Sequence, residues 1–284
     1  MQQLDTGTLF IKTRKLEETA DHESRLSIRL MLNGQQHYRV GNHDHTVTPD
    51  NYLLVNQGQH YRTAFSGETE QEMILVAFRP GFAEHLLHNL ITPQDKLLDD
   101  PFFEPSQPVQ FFEKTYDADP VVCALFARLH NLIDEDLATR KEADLDGVYT
   151  ALLMRMLEVH RNLRGEINKL GSVKAATRAE LFRRLSIAKD FMDAHLDRRI
   201  HLEEVAKVAC LSPHHFKRTF KLLYGLPPHQ YHIHKRLEFC RRQLGLRAAP
   251  VSEIGRQAGF EDASSFIRLF RERYACTPAA YPKK

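Results

Sequence analysis

Apolar residues recur with two different periods along this chain, and the change of period marks its organisation. Up to about residue 78 they alternate or form short runs, as strands do. Beyond residue 80 they return every three or four positions, as helices do. Strands are predicted at 8–13 (TLFIKT), 26–32 (LSIRLML), 52–55 (YLLV), 61–65 (YRTAF) and 72–78 (EMILVAF). In the second of these Leu26, Ile28, Leu30 and Leu32 share one face, and Asn33-Gly34 follows. Asn and Gly tolerate positive φ, so this pair predicts a hairpin returning through QQHYRV. Phe82, Leu86, Leu87 and Leu90 predict a short amphipathic helix. Residues 92–118 hold prolines and aromatics without a period and read as an ordered loop against the sheet. Two longer helices follow, at 120–137 (Val121, Leu125, Leu129 and Leu132 inward) and 144–162 (Val148, Leu152, Met156 and Val159 inward). Asp119 and Asp144 suit their N-termini, where a carboxylate meets exposed amides. Residues 165–177 have two glycines and no apolar stripe, the character of a linker. A helix at 178–196 then turns Leu181, Leu185, Ala188, Phe191 and Met192 inward.

After residue 200 one pattern occurs twice. Leu202, Val205, Ala206, Ala209 and Leu211 match Val251, Ile254, Gly255, Ala258 and Phe260 at an offset of 49. Phe216, Phe220, Tyr224, Pro228 and Tyr231 match Phe266, Phe270, Tyr274, Pro278 and Tyr281 at an offset of 50, so the second copy has one more residue in its turn. Each copy reads as a short helix with small residues on its inner face, a tight turn, and a longer helix with aromatics at i, i+4 and i+8. That spacing makes one buried stripe, so Phe216, Phe220, Phe266 and Phe270 are core. The opposite face carries His214, Lys217, Arg218 and Lys221 in the first copy and Ser264, Arg268 and Arg271 in the second. A helix presenting cations and hydrogen-bonding groups on one face suits a DNA major groove.

These residues resemble the AraC/XylS family of bacterial transcription regulators. The resemblance rests on LEEVA at 202–206, LSP at 211–213, FKRTFK at 216–221, YG at 224–225, PHQY at 228–231 and RL at 236–237. It continues through VSEI at 251–254, AGF at 258–260, FIRLF at 266–270 and TPAAY at 277–281. Gly255 stands where the family more often has Ala, Ala275 replaces a helix-ending Gly, and Pro282 replaces a frequent Arg. Upstream, DNYLLVNQGQH at 50–60 resembles a strand-turn-strand stretch of the family's small β-barrel, or cupin, sensor domains. The resemblance implies a two-domain chain. Residues 1–165 would form a cupin-like β-barrel with a helical pair, for sensing and dimerisation; 166–177 is the linker. Residues 178–284 would form an all-α DNA-binding domain with two helix-turn-helix units. It further implies base contacts by His214, Lys217 and Arg218, matched in the second unit by Ala263, Ser264, Ile267 and Arg268.

Charge divides the same way. Residues 178–284 hold 21 Lys and Arg against 11 Asp and Glu; residues 1–177 hold 18 against 26. A basic half joined to an acidic half assigns a polyanionic partner to the first only. Arg218 can offer its planar fork to guanine O6 and N7, Lys217 can reach a base edge or a phosphate, and Ala263 and Ile267 can touch a thymine methyl. Lys221, Arg271 and the backbone amides at Ser212 and Asp262 suit phosphates. Between the units a helix of about 18 residues would be roughly 27 Å long at about 1.5 Å per residue. Two recognition helices on such a rod can enter successive major grooves, on the order of 34 Å apart. The first unit, richer in hydrogen-bonding groups, is expected to carry more of the specificity.

Other chemistry is less developed. Cys123, Cys210, Cys240 and Cys276 have no CxxC pairing; the first three lie in apolar helical patterns and read as buried thiols of a reducing cytoplasm. The first residues lack the pattern of a signal peptide, and no run of 18 apolar residues spans a membrane. His43-Asp-His45 and His60 could form a cupin metal set, but Thr46, Val47, Thr48 and Pro49 occupy the place where a Glu is usual. The histidines read instead as solvated loop residues, and no metal, cofactor or catalytic residue is expected. The expected protein is a cytoplasmic, sequence-specific DNA-binding activator responding to a small-molecule effector. It would dimerise through 120–165 and, by family resemblance, engage RNA polymerase. The alternatives are a cupin-type metal enzyme with a DNA-binding tail, and a ligand-free regulator controlled by a partner protein.

Overall fold

The computed structural model describes residues 7–13, 21–41, 43–65, 71–92, 108–134, 142–168, 174–246 and 249–282. The chain divides into two compact units, Met1–Glu166 and Ile167–Lys284.

In the first unit the strands are β1 (Gly7–Thr13), β2 (His22–Glu23), β3 (Ser27–Asn33), β4 (Gln36–Val40), β5 (His43–Val47), β6 (Asn51–Val55), β7 (His60–Phe65), β8 (Gln71–Ala77) and β9 (Thr115–Asp117). They form a five-stranded sheet ordered β1-β8-β3-β6-β9 and a four-stranded sheet ordered β2-β7-β4-β5. Met31, Leu53, Val55 and Met73 of the first sheet pack with Tyr38, Val40 and Val47 of the second. Among the described residues this is a sandwich rather than one closed barrel. The other face of the five-stranded sheet (Ile28, Leu30, Leu54, Ile74, Val76) packs on Val122, Phe126 and Leu129 of α2 (Pro120–Asp134) and on Val148, Leu152 and Met156 of α3 (Glu142–Asn168). The alternation in β3 is thus a choice between two buried faces, not between core and solvent.

The predicted strands lie within a residue of those observed, whereas β2, β5 and β9 were not anticipated. The predicted Asn33-Gly34 hairpin does not form. Both edges of β3 are taken, by β6 and β8, so the chain leaves that sheet and β4 pairs with β5 and β7 in the other. Gly34 makes this corner at φ +82°, where a Cβ would sit 2.8 Å from Gln71 Cγ. A short helix, α1 (Phe82–Ile91), lies near its predicted place. Asp119 caps α2 as expected, its Oδ1 accepting from Val121 N (2.9 Å) and Val122 N (3.0 Å). Helix α3 is longer than predicted because its apolar stripe continues through Leu163 and the buried Ile167. Asp144 therefore lies inside its first turn, and the helix enters the predicted linker, of which 169–173 lie outside the described residues. Residues 93–107 of the predicted loop also lie outside them.

The second unit holds α4 (Ala175–Ala194), α5 (Leu202–Val208), α6 (Pro213–Tyr224), α7 (Pro228–Leu246), α8 (Val251–Gln257), α9 (Ala263–Tyr274) and a 3-10 turn at Pro278–Ala280. It has two small cores. Leu185, Ala188 and Met192 of α4 meet Val205, Ala206, Phe216, Phe220 and Tyr231 in one. Leu237 and Cys240 meet Ile254, Ala258, Phe266 and Phe270 in the other. Helix α7 supplies both, so it is the rod on which the two helix-turn-helix units are mounted. The cysteine reading is corrected in part. Cys240 is buried and its thiol is pushed up to about 12 by burial, but Cys123 and Cys210 are exposed. Cys123 lies on the outer face of α2, and Cys210 takes the left-handed turn after α5 at φ +50°.

Candidate nucleic-acid interface

Each recognition helix is defined at both ends by its own sequence. Helix α6 starts at Ser212, whose hydroxyl accepts from His215 N at 3.4 Å, with Pro213 in the first turn, where its missing N–H is no loss. Helix α9 starts at Asp262, whose carboxylate accepts from Ser264 N (3.1 Å) and Ser265 N (2.8 Å). They end at Gly225 (φ +77°) and Ala275 (φ +58°), both left-handed. The aromatic stripe is buried in both helices: Phe216 and Phe220 are 0 % exposed, Phe266 2 % and Phe270 0 %.

With the stripe inward, the opposite faces reach solvent. His214, Lys217, Arg218 and Lys221 are exposed on α6. Ala263, Ser264, Ile267, Arg268 and Arg271 are exposed on α9, with Ile267 at 41 % a large apolar group left uncovered. The structure thus places the nine sequence-predicted residues on two separate surface faces, four on one helix and five on the other. Arg268 donates from Nη1 to Glu272 Oε1 at 3.1 Å along its own helix. Arg218 makes no such pair among the described residues.

Buried polar contacts fix the two units to each other. Arg236, on the rod, donates from Nε to Ala258 O at 2.5 Å and lies 4.0 Å over the Phe260 ring, at the turn of the second unit. Gly259, next in that turn (φ +69°), approaches the Asp197–Arg198 backbone so closely that a Cβ would be 2.6 Å from Arg198 N. His232 donates from Nε2 to His195 O at 3.0 Å, tying the rod to the end of α4. Burial holds that imidazole neutral, its pKa lowered to about 4. Tyr231 completes the set, donating to Asp193 (2.8 Å), which also accepts from the buried Lys189 at 2.9 Å. In the sequence Arg236 and Gly259 stand out only as parts of the motifs RL and AGF, and His232 not at all. Only Gly259, a glycine directly after a short helix, had a local signal.

The inner side of the sandwich is more polar than a purely structural core. Arg29 is 1 % exposed, donates to Ser27 Oγ at 3.0 Å, and lies 4.2 Å over the Tyr61 ring and 5.3 Å over that of Tyr38. The loop reading of His43 and His45 is overturned: both lie on β5, paired with β4. His45 is 1 % exposed and 3.9 Å from Glu113, a carboxylate brought in from the segment just before β9. Burial works to raise the Glu113 carboxyl, but His45, His43 and Gln59 together hold it below its usual range. Among the described residues no three His, Cys, Asp or Glu side chains are grouped to hold a metal ion, and no helix is long and apolar enough to cross a membrane.

Comparison with known proteins agrees with this division. A family model described as an AraC-like ligand binding domain matches residues 18–153, and one described as a helix-turn-helix domain matches 205–284. The chain is 24 % identical over 281 residues to "Probable transcriptional regulator LumQ" of Photobacterium leiognathi, covering 98 % of each. It is 34 % identical over 91 residues to "Regulatory protein PocR" of Salmonella typhimurium, covering 32 % of this chain and 30 % of that one. Among solved structures, the DNA-binding domain of AdpA in complex with a target DNA is 28 % identical, covers 34 % of this chain and 88 % of that one, and gives a TM-score of 0.34. A sandwich matching a ligand-binding domain, followed by two helix-turn-helix units with exposed cationic faces, places this chain in the AraC/XylS family of DNA-binding transcription regulators.

Proposed function

We propose that this regulator is an activator whose sandwich unit takes a small-molecule effector between its sheets, and whose two helix-turn-helix units read successive major grooves. The observation that carries the DNA reading is the pair of exposed cationic faces on α6 and α9, mounted on one 19-residue rod. Arg218 supplies bidentate recognition of a guanine, His214 and Lys217 add contacts beside it, and Lys221 and Arg271 grip phosphates. Ala263, Ser264, Ile267 and Arg268 read the second groove largely through shape and apolar contact. The effector reading is supported by the buried polar groups inside the sandwich, Arg29 and His45 among them. Dimerisation through 120–165 is supported by the uncovered Val121 (51 %) and Met154 (45 %) on α2 and α3. Such a protein works in the cytoplasm, beside the chromosome and RNA polymerase, as a regulator rather than an enzyme.

Selection of bound duplexes from a random pool tests this, with Arg218→Ala beside the wild type. Two preferred blocks about 10 base pairs apart, the first blurred by the variant, are expected. Sequence-blind, salt-sensitive binding would defeat the two-groove reading. Sedimentation of the full chain at micromolar concentration tests the dimer.

A further inference from the structure

Between the two recognition faces lies a trough that neither helix-turn-helix motif accounts for. It consists of two adjoining cavities. One of about 200 Å³ has Lys217, Arg199, His201 and His229 around Ile200 and Pro228. The other, of about 400 Å³, extends to Ser265 and Arg268. Arg199, Ile200, His229 and His232 line both, so the trough is continuous from α6 to α9.

We infer that this trough is a clamp for the DNA backbone, gripping the sugar-phosphate segment that joins the two major grooves, with Arg199 and His229 as its donors. The inference rests on the DNA reading above and adds a contact to it. Arg199 and His229 are exposed, come from different elements, and make no ion pair among the described residues. Arg199 is held in place because its neighbours are: the Asp197–Arg198 backbone is wedged against Gly259, and Arg198 is paired with Glu204 (3.1 Å). Beneath the trough the Arg236 guanidinium is buried on Ala258 O and Phe260, without an ion pair among the described residues but within the field of Glu261, so its charge adds to the potential above only in part. His232 belongs to the floor, its Nε2 already used on His195 O.

The opposing charges lie at the far end. Asp262 and Glu261 line the second cavity, where the Asp262 oxygens accept from Ser264 and Ser265, and Arg268 is paired with Glu272. The attractive end is therefore the one bounded by Lys217, Arg199 and His229. Its apolar floor, Ile200 and Pro228, suits deoxyribose, and its cationic rim suits phosphate. A small amphiphilic anion would find the same chemistry. The backbone is preferred because both ends of the trough abut faces that meet DNA.

The test is a salt titration of operator binding with full-length wild type, Arg199→Ala, His229→Ala and Arg199→Lys. The operator is the duplex recovered by selection. Arg199→Ala is expected to weaken binding by about tenfold and to reduce the steepness of log K against log salt by about 1, with base preferences unchanged. Arg199→Lys should restore most of the slope. Phosphate-ethylation interference should weaken between the two blocks in both alanine variants. Wild-type affinity and slope in Arg199→Ala and His229→Ala would overturn the clamp while leaving the DNA reading intact. A wild type with no base preference would overturn both. Stabilisation of the wild type by decanoate, lost in Arg199→Ala while the salt slope is kept, would assign the trough to an amphiphilic anion instead.

Discussion

The two helix-turn-helix units follow one plan and solve its details differently. In the first, Ala206 and Phe216 share the core between the short and long helices. In the second, Gly255 takes that place, and a Cβ there would be 2.9 Å from Phe266 Cδ1. Gly255 is thus a consequence of closer packing rather than a neutral exchange of small residues. The turns differ likewise. Cys210 and Gly259 occupy the same left-handed position, but only Gly259 is pressed against another segment of backbone. The extra residue of the second turn is Glu261, placed between Phe260 and the Asp262 cap. The caps are opposite in strength: Ser212 makes one long hydrogen bond, Asp262 two good ones, while Gly225 ends its helix without strain and Ala275 does not. The recognition faces differ most, with an Arg218 that makes no ion pair among the described residues on the first and an Arg268 already engaged by Glu272 on the second. A duplicated sequence therefore yields one unit with an open cationic face and another whose turn also serves as the joint between them.

The largest expected effect tests that joint. Gly259→Ala combines positive φ with a 2.6 Å approach to backbone and should cost about 3 kcal/mol or more in urea denaturation. Cys210→Gly, at the equivalent place, should be stabilising by up to about 1 kcal/mol. Equal, small effects at both positions would erase the distinction.

Next is pH. His232 is neutral in the folded unit down to about 4, whereas an unfolded imidazole takes its proton near 6.5. Between those values the unfolded state binds more protons, so stability is fully present above about 6.5 and is lost as pH falls towards 4. The loss should reach on the order of 3 kcal/mol. His232→Gln should flatten that part of the stability–pH curve; a curve as steep as wild type would show that other groups carry it. His160, in the sandwich unit, is lowered to about 4 by burial and Arg164, so both units should weaken in the same window.

Smaller effects concern the faces and the helix ends. Arg218→Ala should remove about 1–3 kcal/mol of discrimination at one base pair. Arg268→Ala should remove less, since its guanidinium must first leave Glu272; competition binding with single-base operator variants measures both. An equal or larger effect at Arg268 would reverse the ranking of the two units. Ala275→Gly should gain about 1 kcal/mol and Gly225→Ala lose as much, because only glycine adopts that conformation without strain. Thermal melts of the two variants would show whether the ends differ as their backbones do.

Much of the second unit was legible because its signals are local. The i, i+4, i+8 aromatics dictate which face is buried, and the polar and charged side chains of His214, Lys217, Arg218 and Lys221 are left outside by default. Ser212 and Asp262 mark helix starts, and the repeat itself multiplies each signal. The sandwich was legible as strands but not as a sheet order. Asn33-Gly34 states that the chain turns, and only the occupation of both β3 edges decides that it turns into another sheet. His45 could not be told from a solvated loop residue, because its place on β5 and its approach to Glu113, far along the chain, are set by tertiary pairing. Nor could Arg199 and His229 be brought together, since that depends on the rod and on the approach of Gly259 to Asp197. The sequence by itself determined the elements, their buried faces and the two-part organisation, all set by the spacing of neighbours along the chain. The tertiary structure alone decided strand partners, the burial of isolated polar groups and the trough between the units, because each depends on contacts between residues that no local pattern relates.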